Sequence, residues 1–164
     1  MLHMLNVVLI RIAEWLTMLA IGAIAVVVPL EVFNRYFLSN MSTWSNEFCQ
    51  YSLVCASMMG GAAGLRKGYQ VGITSLIDSL GPAGTRMLQG AIYGIMLVFC
   101  GVMTYYGGVQ TIANWAQTSS SMGISMSIPY AALPLGFGVM FCVTLEHLAD
   151  LVAGRQTRDK ALGT

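Results

Sequence analysis

The chain has 164 residues, of which 56% are hydrophobic and only 9% charged, and its formal net charge is +1. So few charges cannot clothe a soluble surface, and so much apolar area cannot be hidden in one small core, so lipid is the expected solvent. The basic residues are scattered rather than clustered with aromatics, which gives no reason to expect a nucleic-acid partner.

The first apolar helix is expected over about 10–37, extended on its N-terminal side by the apolar Leu5 to Ile10. Arg11, the following apolar run and Ala23-Ile24-Ala25 resemble a cleavable signal peptide, but the run continues to Leu30, which favours a retained span. A helix entering the bilayer near Arg11 reaches the far interface about 20 residues later, near Glu31. Glu31 is therefore a boundary residue, and Arg35 follows at the i+4 spacing that permits an ion pair. Arg11 and Glu14 form a similar pair at the other end of the same helix.

A polar turn, Ser39 to Thr43, leads to Trp44, whose preference for the membrane interface marks the outer start of a second helix over about 44–65. Glu47 lies one turn further in, and a tight hairpin places it within reach of Arg35. The helix ends in Gly60-Gly61-Ala62-Ala63-Gly64, small residues that admit a close neighbour, and is followed by Arg66 and Lys67. Residues 71–81 then place Ile73, Leu76, Ile77 and Leu80 on one face of a short amphipathic helix stopped by Gly81-Pro82. Its expected position is the inner interface, apolar face toward lipid, another subunit or its own bundle.

Met87 to Leu145 contains neither a charged residue nor a His, and is long enough for two crossings at roughly 20 residues each. A third helix over about 84–115, with Gly90, Gly94, Gly101 and Gly108 along one stripe, is about 48 Å long if unbroken and must tilt or project. An uncharged connection, Ala116 to Ser127, precedes a fourth helix over about 128–151. Pro129 suits its first turn and Pro134 is a candidate bend. At its inner end Glu146 and Asp150 sit one turn apart and repel unless a basic residue is close.

Seven of the eight Lys and Arg residues, Arg11, Arg66, Lys67, Arg86, Arg155, Arg158 and Lys160, fall on one side of this layout, and only Arg35 falls on the other. Loops rich in Lys and Arg stay in the cytoplasm, so both termini are expected there. The reading is an all-α integral membrane protein. Residues 1–152 form one four-helix membrane domain, N-in and C-in, with an interfacial helix between helices two and three; residues 153–164 form a cytoplasmic tail.

Cys49, Cys55, Cys100 and Cys142 show neither CxxC pairing nor metal-ligand spacing, and His3 and His147 are too far apart to suggest paired haem ligands. No cofactor, metal or catalytic constellation is visible, so the chain does not read as an enzyme. A charge in mid-helix costs something like 2.5 to 3.5 kcal/mol on insertion scales, so an ion pathway normally carries one. This chain has none, and that points to a subunit that docks beside a larger membrane protein.

Asn34-Arg35-Tyr36, Trp44-Ser45-Asn46-Glu47, Gly61-Ala62-Ala63 with Arg66-Lys67-Gly68, Ser127-Ile128-Pro129 and Leu133-Pro134-Leu135-Gly136-Phe137 occur in that order. Together they resemble the small permease subunits of the tripartite ATP-independent periplasmic (TRAP) transporters. The chain departs from that pattern at Gln70-Val71-Gly72, where the family often has a His and an acidic position. The resemblance implies a bacterial inner-membrane protein that braces a large multi-span permease, which holds the Na⁺ and substrate sites. It also implies a periplasmic binding protein that delivers an organic acid of the C4-dicarboxylate or sialic acid type. Glu31, Arg35, Trp44, Glu47, Arg66 and Lys67 are the candidate partner contacts, with membrane lipid as the remaining neighbour.

Two other readings remain open on the residues alone. One is a self-contained homodimeric exporter that uses Glu14 or Glu31 as a proton-coupled carboxylate; the other is an assembly factor. If Arg35 and Glu47 act as a pair, single replacement of either impairs uptake and exchanging the two charges partly restores it. Uptake assays in cells check this, and unchanged uptake in the single variants would remove the pair's role.

Overall fold

The computed structural model of the chain describes residues 2–37, 43–66 and 82–152. Four helices account for almost all of them: α1 (Leu2–Phe37), α2 (Thr43–Arg66), α3 (Pro82–Ala113) and α4 (Ser127–Val152). Among the described residues there is no strand, and the connection between α3 and α4 contains a single antiparallel bridge, Thr118 to Ser125. The expected interfacial helix over 71–81, Lys67 and the tail 153–164 lie outside the described residues.

Helices α1, α3 and α4 are long and apolar enough to cross a membrane. Helix α2 is less apolar because Ser45, Asn46, Glu47, Gln50 and Ser52 crowd its first turns. Its 24 residues nevertheless make a rod about 36 Å long. The expected boundaries agree to within a turn for α2, α3 and α4, whereas α1 begins eight positions before the expected residue 10. The extra turns continue the apolar run Leu5 to Ile10, and burial of Asn6 and Ile10 against the rest of the bundle holds them in place.

Helix α4 is the hub. It packs along α3 and α2 and more lightly on α1, while α1 and α2 pack along each other. Near the end where α1 begins and α4 finishes, called inner after the expected topology and the opposite end outer, Ile10 of α1, Ala63 and Leu65 of α2 and Val143 of α4 are buried together, with Met96, Val139 and Met140 against them. Two glycines set how closely the helices approach. A Cβ built at Gly136 falls 2.7 Å from Cβ of Met58, and one at Gly107 falls 3.2 Å from Cδ of Pro134. Without a side chain at these two points the backbones of α4 and its neighbours meet directly, the small-residue packing that substitutes in lipid for a hydrophobic driving force.

The glycine stripe expected on α3 is only partly used. Gly90 and Gly101 face Leu151 and Phe141 of α4, but Gly94 and Gly108 have open space beside them. Four helical threonines, of which Thr144 is buried and the others half-buried, satisfy their hydroxyls within their own helix. Thr17, Thr104, Thr111 and Thr144 each donate to the carbonyl four residues earlier, at 2.7 to 2.8 Å.

The packing generates a direct expectation. Gly136→Ala forces its methyl into the Met58 side chain and backbone and destabilises the fold by about 1 to 3 kcal/mol, the usual cost of overpacking. Gly108→Ala, with open space at its Cβ, leaves stability unchanged or slightly raised. Thermal unfolding of the purified membrane complex separates the two.

Candidate functional site

The side-chain hydrogen bonds described between different elements gather at two joints, one at each end of the bundle. The outer joint starts from the 117–126 connection, which is a small hairpin: Ser119 N–H donates to the Ile124 carbonyl and Met126 N–H to the Gln117 carbonyl, both at 2.8 Å. Gly123 turns it with a φ of 65°, a left-handed conformation that favours glycine. The hairpin folds back over the first turns of α2. There the Glu47 carboxylate accepts a hydrogen bond from Ser119 Oγ on one oxygen and from Ser120 Oγ, at 3.0 Å, on the other. Ser119 is buried. One turn along α2, Tyr51 Oη donates to the Met126 sulfur at 3.5 Å.

At the inner joint Asn6 is fully buried, and its Nδ2 donates both to the Cys142 carbonyl at 3.1 Å and to Glu146 Oε2 at 2.6 Å. A single amide thereby ties the start of α1 to the last turns of α4. The second N–H of that amide gives the Glu146 carboxylate a hydrogen-bond donor in place of water. On the neighbouring face, His147 stacks on Tyr93 of α3 with ring centroids 5.8 Å apart.

Between the joints an open groove of about 450 Å³ runs down the outer half of the bundle. Its walls are almost wholly apolar: Leu16, Leu19 and Ala23 of α1, Phe48 and Tyr51 of α2, Ile128 of α4, and Met122 and Ile124 of the hairpin.

The expected contact residues are distributed differently from the expectation. Glu31 is half-buried near the outer end of α1 and Arg35 is exposed there. Among the described residues Arg35 forms no ion pair with either Glu31 or Glu47. Glu47 turns instead to the serines of the hairpin. Trp44 is exposed and lies edge-on to Phe48 at 6.4 Å. Arg66 is half-buried, and its Nη1 is enclosed without a hydrogen-bond partner among the described residues.

Asn6, Tyr51, Ser119 and Ser120 were not singled out by the sequence reading. Asn6 carried a usable signal as a lone amide in an apolar helical run. The serines carried a weaker one, as a dense set of hydroxyls in a connection without charge.

A bundle of four helices, three of them of membrane-crossing length and composition, with its polar side chains gathered at the two ends, defines a helical membrane protein. Residues 24–154 match the DctQ component of the tripartite ATP-independent periplasmic transporters, and the chain belongs to that family. It is 25% identical over 151 residues to the sialic acid TRAP transporter small permease protein SiaQ of Vibrio cholerae serotype O1, a match covering 92% of this chain and 87% of the relative. It is 29% identical over 99 residues to the C4-dicarboxylate TRAP transporter small permease protein DctQ of Rhodobacter capsulatus, covering 59% of this chain and 44% of that longer relative.

The inner joint makes a prediction with a built-in control. Asn6→Asp replaces the shared donor with a second carboxylate at hydrogen-bond distance from Glu146 and costs on the order of 2 kcal/mol. Adding Glu146→Gln moves the amide donor to the other side and recovers the part of the loss that belongs to this contact, while the bond to the Cys142 carbonyl stays broken. Membrane accumulation and thermal unfolding of the three variants, compared as a double-mutant cycle, check the coupling.

Proposed function

We propose that this chain is the small membrane subunit of a Na⁺-coupled, binding-protein-dependent transporter for an organic acid, and that it braces the large permease subunit rather than carrying solute itself. In this reading it crosses the bacterial inner membrane four times with both termini in the cytoplasm. The family match over 24–154 is the observation that carries the proposal.

Physical features support the finer points. Helix α2 lies along both α1 and α4; its first turns meet the outer hairpin and its last turns share the inner core. A helix about 36 Å long held at both ends in this way fits a fourth crossing of a ~30 Å hydrocarbon layer. Helix α3 supports the bracing role. It leans on α4, while Ile95, Val98, Tyr105 and Ile112 remain exposed along its length, a broad apolar face available to a larger membrane partner or lipid. The stretch Met87–Leu145 contains no Asp, Glu, Lys, Arg or His that could serve coupling, which favours placing the ion and substrate sites in the large permease. The names of the two relatives, one for sialic acid and one for C4-dicarboxylates, make an organic acid the solute class of choice. The outer ends of α1 and α2, with the hairpin, are the surface assigned to the periplasmic binding protein.

Two assays test the assignment. A tag on this chain is expected to co-purify the large permease in mild detergent, and reporters fused to the C-terminus are expected to score as cytoplasmic. A chain recovered only as a self-associated species, active in transport alone, would contradict the proposal and favour a homodimeric exporter.

A further inference from the structure

The outer joint does more than cap α2. Glu47, Tyr51 and Cys55 recur at i+4 spacing and so lie along one stripe of the helix. The hairpin sits over the outer part of that stripe: Ser119 and Ser120 on Glu47, Met126 on Tyr51, and Met122 and Ile124 lining the same groove as Cys55. Ser119 is the pivot. Its hydroxyl donates to Glu47 and accepts from Met122 N–H at 3.3 Å, while its own N–H and carbonyl bond Ile124 and Gly123 across the hairpin. A carboxylate on a different helix therefore fixes the turn through one buried hydroxyl, and a charged acceptor makes such bonds stronger than neutral ones.

The outward side of the same hairpin presents exposed Gln117, Thr118 and Ser120 beside an exposed Trp115. Residues 117–126 carry no charged side chain. An uncharged polar element gains little from electrostatic steering, so its affinity for a partner depends on the groups already standing in place when the partner arrives.

We propose that the 117–126 hairpin is a preformed docking element for an uncharged, hydrogen-bonding protein surface, and that Glu47 and Ser119 are the positioning residues that hold it in its binding shape. The identity of the partner as the periplasmic binding protein rests on the functional reading above. Neither positioning residue needs to touch that partner: Ser119 is buried, and Glu47 acts through the hairpin.

The test uses the complex with the large permease in lipid nanodiscs and proteoliposomes. Hydrogen exchange of the hairpin peptides is expected to quicken several-fold in Glu47→Ala and in the milder Ser119→Ala, and to be partly restored in Glu47→Asp. In parallel, the binding-protein concentration giving half-maximal uptake is expected to rise more than uptake at saturation falls. Unchanged exchange in both variants overturns the proposal. Faster exchange with unmoved half-saturation also overturns it, provided that Thr118→Arg, which leaves the clasp intact and obstructs the outer face, raises half-saturation. If Thr118→Arg has no effect either, the assignment of this surface to the binding protein is what has failed.

Discussion

Everything in this bundle follows from the difficulty of leaving a polar group unpaired in lipid. A backbone amide or side-chain donor without a partner costs several kcal/mol in hydrocarbon, which forces helices and favours an acceptor close to each side-chain donor, although among the described residues Asn6 Oδ1 and Arg66 Nη1 are enclosed without a hydrogen-bond partner. Four threonines solve the problem by bonding the preceding turn of their own helix. Asn6 and Glu47 cannot, and each is instead paired with another element: Asn6 with α4 and Glu47 with the outer hairpin. These two pairings fix the relative height of the helices, because a one-turn slip would separate donor from acceptor at both ends.

Between the two joints the association rests on contact rather than on hydrogen bonds. Gly136 and Gly107 let α4 meet α2 and α3 at backbone distance, so α4 acts as the spine to which the other helices attach. The arrangement is lopsided. Helices α1, α2 and α4 share a core at the inner end, and α3 stands to one side with most of its apolar face uncovered. A protein that did its chemistry alone would have reason to enclose a polar cavity. This one has an open apolar groove and a long free face, which suits a component of a larger membrane assembly.

Much of the fold was legible in the sequence, because lipid makes the signal long and simple. Uninterrupted apolar runs and boundary charges gave the four helices to within about a turn, with α1 the exception. Its first turns continue the apolar run Leu5 to Ile10, but the burial of Asn6 against α4 that holds them is a tertiary effect that no local pattern carries. The outer site was legible only as a location. Glu47 stood out by charge, and charge pairing suggested Arg35, the nearest cation in the sequence. The structure satisfies Glu47 with hydroxyls from a connection about seventy positions away and leaves Arg35 exposed at the end of α1. Nothing in the spacing of Ser119 and Ser120 reveals that their hairpin folds back over α2; that follows from the lengths of α3 and α4 and from the left-handed turn at Gly123. The stripe of glycines on α3 shows the converse case. Periodicity identified a face, but only half of it meets α4.

The central claim is that this chain is an obligate accessory of a larger transporter. The most direct measurement is substrate uptake into proteoliposomes under an inward Na⁺ gradient, using this chain, its large permease and the binding protein, with each omitted in turn. The account predicts uptake only when all three are present. Uptake by this chain alone, or undiminished uptake in its absence, would contradict it.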